Sequence, residues 1–348
     1  MGGATLTVTD MHTAGEPVRI VEDGYPELEG ASLLEKRRDA RQRFDGLRRR
    51  LMLEPRGHAG MYGVIPTAPS DPTADLAVLF THQEGYSTMC GHATIAIGRW
   101  AVDSGRVASR GGHARFRLEA PCGVVEVEVT PDPAGGAPRV AFESVESFAS
   151  HLSRTIETPG FGAVEVDVAF GGAYYAILPA SRLGLPLLDS PLADLVAAGT
   201  ALTAAVRERL PIEHPEAPDL GFLYGTILTD DAPLGRGAAS YNLCVFAEGQ
   251  IDRSPTGSGV TARLALAAAR GELSVGQPCE IRGVSGAGFT AQLSALLPGG
   301  PTPGSRVRVA GVAHYASRAT FLAEADDPFA DGFTLPERFA DLLPGARA

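Results

Sequence analysis

Two short segments of the chain carry the residues best suited to chemistry. Cys90 lies in the motif MCGHAT, and Thr256 lies in the motif DRSPTGSG, 166 positions further on. In each motif a side chain that can handle protons precedes a glycine and then a run of residues that can form a helix, 92–102 in one case and 260–273 in the other. The pattern predicts one active site built by two halves of the chain, with a thiol on one side and a hydroxyl on the other.

A thiol at the start of a helix is suited to removing a proton. An unperturbed thiol has a pKa of about 8.5, so it is mostly protonated at neutral pH. A helix N-terminus stabilises a nearby anion by about 0.3 to 1 kcal/mol, which favours the thiolate. We therefore expect Cys90 to act as a general base near neutral pH.

The same two helix starts are suited to binding a small carboxylate. Backbone N–H groups in the first turn of a helix have no partner inside the helix and commonly bind anions. The expected donors are the amides of Gly91, His92, Gly257 and Ser258. They would also stabilise carbanion-like charge that develops on the substrate, so the sequence predicts chemistry without a cofactor. Asp252 either caps the turn at Pro255 or faces an ammonium group, and the sequence supports both interpretations equally.

Composition bounds the class of protein. At 348 residues and 44% hydrophobic, the chain is long enough for two lobes with separate cores. A net charge of -11 argues against a broad phosphate-binding face, so a nucleic-acid partner is not expected. The arginine-rich stretch 35–50 has interspersed acids, which favours a solvated helix face.

No long apolar run and no signal-like start are visible, so we expect no membrane association and a cytoplasmic protein. Cysteines at 90, 122, 244 and 279 have no metal-binding spacing, which predicts free thiols and no metal site. Three of them, Cys122, Cys244 and Cys279, adjoin strand-like runs and are expected to be buried. His12 and His58 have no paired spacing either, and structural hydrogen bonding is the favoured interpretation for both.

Strand-like patterns dominate the remaining sequence. The predicted strands are 4–8, 18–21, 76–81, 123–130, 164–170, 220–229 and 242–247, and the predicted helices are an exposed one over 32–53 and another over 190–210. The order strand, glycine-bounded turn and helix occurs twice along the chain. Residues 257–262 also match a dinucleotide-binding glycine pattern, but that motif needs a strand directly before it, and 248–255 is predicted to be a turn.

Five segments together resemble the proline racemase family. They are DMHTAGEPVRIV (10–21), EPRGHAGMYG (54–63), MCGHATIAIGRW (89–100), FGGAYYAI (170–177) and DRSPTGSGVTARLAL (252–266). The resemblance implies an α/β (α+β) fold of two pseudo-symmetric lobes, each a curved, mostly antiparallel sheet around a central helix, as in diaminopimelate epimerase. The first lobe is expected over 1–155 plus about 310–348 and the second over 156–309, with the substrate in the cleft between them. Gly60 departs from the family pattern, which implies an acidic residue there.

The resemblance also implies roles for individual residues. Cys90 is the expected catalytic base, Thr256 replaces a second acid/base, and the substrate contacts are Gly91, His92, Asp252, Gly257 and Ser258. Family members that racemise proline or epimerise 4-hydroxyproline have cysteine at both catalytic positions. The subgroup with threonine at the second position dehydrates trans-3-hydroxy-L-proline, and the family implies a homodimer without a cofactor.

The physics of the cysteine-to-threonine change agrees with that subgroup. Racemisation needs a titrating group on each face of the α-carbon, and a threonine hydroxyl is a poor proton carrier. Dehydration needs one α-proton removed, after which the β-hydroxyl leaves and the enamine becomes Δ1-pyrroline-2-carboxylate. Because the α-hydrogen and the 3-hydroxyl lie on the same ring face, one hypothesis is that protonated Cys90 also assists the leaving hydroxyl, with Thr256 on the opposite face.

Two other functions stay open at this point. The chain is alternatively an isomerase of proline or 4-hydroxyproline, which would need a second acid from elsewhere in the sequence. It is also compatible with a non-catalytic amino-acid-binding protein on the same fold.

Overall fold

The structure, a computed structural model, describes residues 5–298 and 303–336. The strands in this part of the chain are β1 (Leu6–Thr13), β2 (Glu16–Asp23), β3 (Tyr62–Thr67), β4 (Leu76–His82), β5 (Gly85–Ser87), β6 (Ala114–Ala120), β7 (Gly123–Thr130), β8 (Arg139–Glu143), β9 (Phe148–Thr158), β10 (Gly162–Phe170), β11 (Tyr174–Pro179), β12 (Leu223–Thr229), β13 (Ser240–Phe246), β14 (Gln250–Asp252), β15 (Cys279–Arg282), β16 (Gly288–Leu297) and β17 (Gly304–Phe321). The α-helices are α1 (Leu33–Arg43), α2 (Asp45–Met52), α3 (Gly91–Asp103), α4 (Leu192–Arg209) and α5 (Gly257–Ala269).

Helix α3 lies at the centre of one lobe because it is apolar on all sides. Strands β1, β2, β7, β8 and β17 pack around it, and Trp100 is 1% exposed. Gly98 lets β8 approach, since a Cβ there would lie 2.4 Å from a methyl of Val140. A helix without a polar face is stable only when it is enclosed in this way.

Helix α5 occupies the corresponding place in the second lobe. Its residues from Gly257 to Ala267 are all buried, and strands β9, β10, β11, β16 and β17 surround it. Most strand pairs are antiparallel, but β11 and β12 run parallel, and the crossover between them contains α4, which packs on β12 and β13. The molecule is therefore two pseudo-symmetric lobes, each a curved sheet around a central helix.

The two central helices meet end to end at their N-termini. A Cβ atom built on Gly91 would lie 2.5 Å from the Cα of Gly257, and one built on Gly257 would lie 2.6 Å from the Cα of Gly91. Real Cβ atoms do not approach other atoms so closely. Glycine is thus required on both sides of this contact, which fixes the distance between the residues just before the two helices, Cys90 and Thr256.

The prediction of one exposed helix over 32–53 is wrong in two respects. The segment forms α1 and α2, because Phe44 leaves helical geometry with φ -129° and ψ 16° and packs its ring against Tyr25. The arginines are not all solvated. Arg48 is 5% exposed, pairs with Asp45 and donates to the carbonyl of His82 at 2.8 Å, so α2 is attached to the sheet through a buried cation.

Most other predicted elements are confirmed with shifted ends. The segment 248–255 is an exception, because it contains β14, which pairs with β13. The short strand does not create a dinucleotide site, since Gly257 is packed against Gly91 and Gly259 against Ile227. Among the described residues, no helix is long and apolar enough to cross a membrane.

Gly91→Ala is expected to destabilise the fold by about 1 to 3 kcal/mol, the usual range for overpacking a tight contact, because the new methyl group must separate α3 from α5. Urea denaturation of the variant and the wild type measures the difference. Gly46→Ala is the matched control, since a Cβ there meets only the side chain of Asp331 at 3.2 Å. Equal stability of Gly91→Ala and wild type would contradict the contact.

Candidate functional site

The residues singled out in the sequence come together in one cavity at the junction of α3 and α5. The cavity is small, with a volume of about 10 Å³. Its lining includes all seven predicted site residues: Cys90, Gly91, His92, Asp252, Thr256, Gly257 and Ser258. Cys90 is 5% exposed and Thr256 is 6% exposed, so the cavity is closed off from bulk water.

Cys90 is the residue that precedes the first turn of α3. Its backbone is extended, with φ -147° and ψ 109°, and its side chain makes no capping hydrogen bond. The sulfur instead lies 3.2 Å from Nδ1 and 3.7 Å from Nε2 of His92. The thiol is therefore next to both a helix N-terminus and an imidazole, and each stabilises a thiolate.

His92 connects Cys90 to an acid from the other lobe. Its Nδ1 lies 3.7 Å from Oδ2 of Asp252. Burial alone would lower the pKa of His92, but Cys90 and Asp252 together raise that pKa well above its usual range. The imidazole thus favours its charged form between a sulfur and a carboxylate. His12 and His58 do not line this cavity.

Asp252 completes a chain of contacts from the thiol to the hydroxyl. The hydroxyl of Thr256 donates to Oδ2 of Asp252 at 2.9 Å, and the backbone N–H of Ser254 donates to Oδ1 at 2.8 Å. Asp252 therefore supports the turn before α5, which is one of its two interpretations from the sequence, and it also faces His92. The Thr256 hydroxyl thus donates its proton to the carboxylate of Asp252.

The backbone at Thr256 is strained. Its φ is +63° and its ψ is 92°, a conformation that a β-branched residue rarely adopts. The N–H of Thr256 donates to the hydroxyl of Ser254 at 3.1 Å, which together with the Asp252 contact holds the residue in place. Strain of this kind is typical of residues whose position matters for function.

Several lining residues were not identified from the sequence. They are Glu16, Tyr62, Met89, Tyr175, Tyr224, Cys244 and Phe246. Glu16, Tyr62, Met89 and Tyr175 lie inside segments that carried the family resemblance, so a signal was present, whereas Tyr224, Cys244 and Phe246 lie on β12 and β13, outside those segments. The four cysteines are free, and Cys122 is partly exposed rather than buried.

Aromatic rings form the apolar wall of the cavity. Tyr224 and Phe246 stack with their centroids 5.4 Å apart, and Tyr62 meets His92 edge-on at 4.9 Å. The hydroxyl of Tyr175 lies 2.7 Å from that of Ser258. A cavity with apolar walls and a few fixed polar groups is suited to a small ring-shaped ligand with a charged end.

Glu16 is the unexpected polar group in this cavity. It is fully buried, and its Oε2 accepts the backbone N–H of Arg253 at 2.7 Å and a guanidinium N–H of the same residue at 3.3 Å. Its Oε1 is buried without a hydrogen-bond partner among residues 5–298 and 303–336. Burial, and then the charge of Asp252, raise the pKa of Glu16 to about 8, so this carboxyl is mostly protonated at neutral pH.

Arg253 closes one side of the site and explains why position 60 is glycine here. Its guanidinium donates to the carbonyl of Gly60 at 2.8 Å, and a Cβ on Gly60 would lie 2.5 Å from the same guanidinium. Gly60 also has φ +74°, a conformation that favours glycine. An acidic side chain at position 60 would require a rearrangement of Arg253.

The donor set does not suggest a metal centre. Among residues 5–298 and 303–336, no group of three or more His, Cys, Asp or Glu side chains is arranged to hold a metal ion.

Comparisons with known proteins bear on this site. The family model described as proline racemase matches residues 8–334. A protein of Homo sapiens named "Trans-3-hydroxy-L-proline dehydratase" is 46% identical over 338 residues, which cover 96% of each chain. A crystal structure of a hydroxyproline epimerase from Agrobacterium vitis with bound trans-4-hydroxy-L-proline superposes with a TM-score of 0.87 and 25% identity, over 95% of this chain and 96% of that chain. A probable proline racemase from Agrobacterium radiobacter K84 with bound carbonate gives the same TM-score and coverage at 27% identity. The predicted fold is confirmed.

Glu16→Gln is expected to stabilise the protein increasingly as the pH rises from about 4.5 to about 8. Because the pKa of Glu16 is raised from 4.5 to about 8 in the folded state, the carboxyl stabilises the fold fully only below pH 4.5, and this contribution is lost as the pH rises towards 8. At pH 7 the amide should be more stable by about 3 kcal/mol, at 1.36 kcal/mol per pKa unit. Denaturation of the variant and the wild type across this pH range measures the difference in their free energies of unfolding, which should vanish near pH 4.5. A difference that does not depend on pH would contradict a neutral Glu16.

Proposed function

Because this chain belongs to the proline racemase family, we propose that it is a hydro-lyase that removes water from trans-3-hydroxy-L-proline. The observation that carries the proposal is the arrangement of the two faces of the cavity. Cys90 offers a sulfur beside an imidazole, whereas the hydroxyl of Thr256 donates its proton to Asp252 at 2.9 Å. One face can take a proton and the other has none to return, which suits elimination better than racemisation.

The reaction begins with the substrate carboxylate at the two helix N-termini. Neither helix has a capping hydrogen bond from the side chain before it, so the first-turn amides at Gly91, His92, Gly257 and Ser258 are suited to bind the carboxylate. Each helix end contributes roughly half a positive charge. This charge stabilises the electron density that moves onto the carboxylate as the α-hydrogen leaves.

Cys90 is the base in this proposal. Its thiolate, stabilised by His92 at 3.2 Å, takes the α-proton, and the electrons of the Cα–H bond form a double bond to C3 while the C3–O bond breaks. The enamine then gains a proton at C3 and loses one from nitrogen, which gives Δ1-pyrroline-2-carboxylate. Asp252 holds His92 and Thr256 in place, and no step requires a cofactor.

Three further features belong to the proposal. The lobe boundary near residue 310 is supported by β17, whose partner changes from β16 to β8 and β1 along its length; the first lobe is then 1–155 plus about 310–348, and the second is 156–309.

A cytoplasmic location is supported by the four free cysteines, which suit a reducing compartment. A homodimer rests on the family resemblance.

Purified protein is expected to convert trans-3-hydroxy-L-proline to an imine that o-aminobenzaldehyde traps as a coloured adduct. Cys90→Ser should lower kcat by roughly 1000-fold or more, since a serine hydroxyl is a far weaker base than a thiolate, and circular dichroism should show an unchanged fold. Cys279→Ser, which alters a buried thiol outside the cavity, is the control and should keep its activity. Substantial turnover by Cys90→Ser would refute the assignment of the base.

Thr256→Cys is expected to gain hydrogen exchange at the α-carbon of L-proline in deuterated water, with slow formation of D-proline, because a second thiol would then face the ring. Mass spectrometry measures the deuterium, and chiral chromatography measures the product. Thr261→Cys is the control, since it places a thiol on the same helix outside the cavity lining. Exchange no faster than in wild type would count against the two-face arrangement.

A further inference from the structure

We propose that Glu16 is the general acid that protonates the departing 3-hydroxyl group. The inference rests on the proposed function and deepens it. Glu16 is fully buried and lines the same cavity as Cys90 and Thr256. Within the part of the chain that the structure describes, its Oε1 is buried without a hydrogen-bond partner, so this atom is free to make a hydrogen bond to a ligand.

The hydrogen bonds of Glu16 indicate which oxygen carries the proton. Oε2 accepts two N–H groups of Arg253, at 2.7 and 3.3 Å. In a neutral carboxyl group, the oxygen that accepts from N–H donors in this way is the carbonyl oxygen, which carries no proton. The proton of the neutral carboxyl is therefore on Oε1. A buried polar atom without a partner is unfavourable, and a substrate hydroxyl in the cavity would remove that penalty.

Burial and the charge of Asp252 keep Glu16 protonated. Burial has the largest effect, and Asp252 acts in the same direction, whereas His92 and Arg253 oppose them. The net result is that the pKa of Glu16 rises to about 8, close to the value at which a general acid is effective near neutral pH.

The proton and electron balance of the step is complete. Cys90 thiolate takes the α-proton, the Cα–H electron pair becomes the Cα–C3 double bond, and the C3–O pair leaves on oxygen. The proton on Oε1 of Glu16 moves to that oxygen, so water departs and the carboxylate remains. Cys90 then gives a proton to water and Glu16 takes one from water, which restores both groups.

This assignment separates two roles that the sequence-based hypothesis gave to one residue. In that hypothesis, Cys90 has to take a proton from the α-carbon and give it to the leaving oxygen. With Glu16 as the acid, the thiol needs only to act as a base, and both proton transfers can occur in one step.

The test compares two leaving groups in the variant Glu16→Gln. Trans-3-hydroxy-L-proline needs a proton on its leaving oxygen, whereas trans-3-fluoro-L-proline loses fluoride, a much better leaving group, with little help from an acid. We expect kcat for the hydroxylated substrate to fall roughly 100-fold or more, the usual contribution of a general acid. Fluoride release, measured with an ion-selective electrode, should stay within about tenfold of wild type.

Three controls make the outcome decisive. Glu119→Gln changes another buried carboxyl, which accepts from the backbone of Ser70 at 2.6 Å, and should leave both rates unchanged. Cys90→Ser should lose both rates. Binding of pyrrole-2-carboxylate, a planar mimic of the intermediate, should persist in Glu16→Gln, and Glu16→Asp, which keeps a carboxyl, should recover part of the rate on the hydroxylated substrate.

The possible results separate the two proposals. Selective loss on the hydroxylated substrate supports Glu16 as the acid. The assignment of Glu16 as the acid is overturned if Glu16→Gln keeps the wild-type rate on both substrates. It is also overturned if Glu16→Gln and Glu16→Asp each lose the same factor on both substrates. If wild type releases fluoride but never water, the proposed dehydration itself is wrong.

Discussion

The site depends on a backbone contact between two glycines. Gly91 and Gly257 bring the N-termini of α3 and α5 together at a distance that no side chain would permit. Two positive helix ends repel each other, and the contact is held by the apolar packing of both helices inside their sheets. The same packing leaves first-turn amides from both lobes aimed at one small volume, so an anion bound there would relieve the repulsion that the fold creates.

Other glycines support this contact from the sheet of the second lobe. A Cβ on Gly171 would lie 2.2 Å from the carbonyl of Ser258, and one on Gly172 would lie 2.7 Å from the side chain of Met89. The hydroxyl of Thr88 also donates to the carbonyl of Gly172 at 2.6 Å. The turn between β10 and β11 is thus packed against both helix starts, and its two glycines allow the lobes to approach.

The sequence was most informative where function depends on local geometry. Cys90 and Thr256 were identified because a reactive residue, a glycine and a helix follow one another in the chain, and the structure places both in one cavity with their predicted neighbours. Tyr224 was missed because it reaches the cavity through the order of strands, which no local pattern encodes, and Glu16 was missed although it lies in the segment 10–21 that resembles the family. The helix break at Phe44 was missed for a similar reason: the ring packs against Tyr25, a distant partner in the sequence.

Two features of the cavity oppose stability: a neutral carboxylic acid enclosed without a partner for one oxygen, and a threonine with a positive φ. Such features persist only where the surrounding structure imposes them. The second has a consequence for evolution. Ser254 and the helix after Thr256 hold the backbone at position 256 without using its side chain, whereas the Asp252 contact depends on the hydroxyl. Under the proposed mechanism, one codon at position 256 decides the type of reaction while the architecture stays the same, which is one route by which related enzymes diverge.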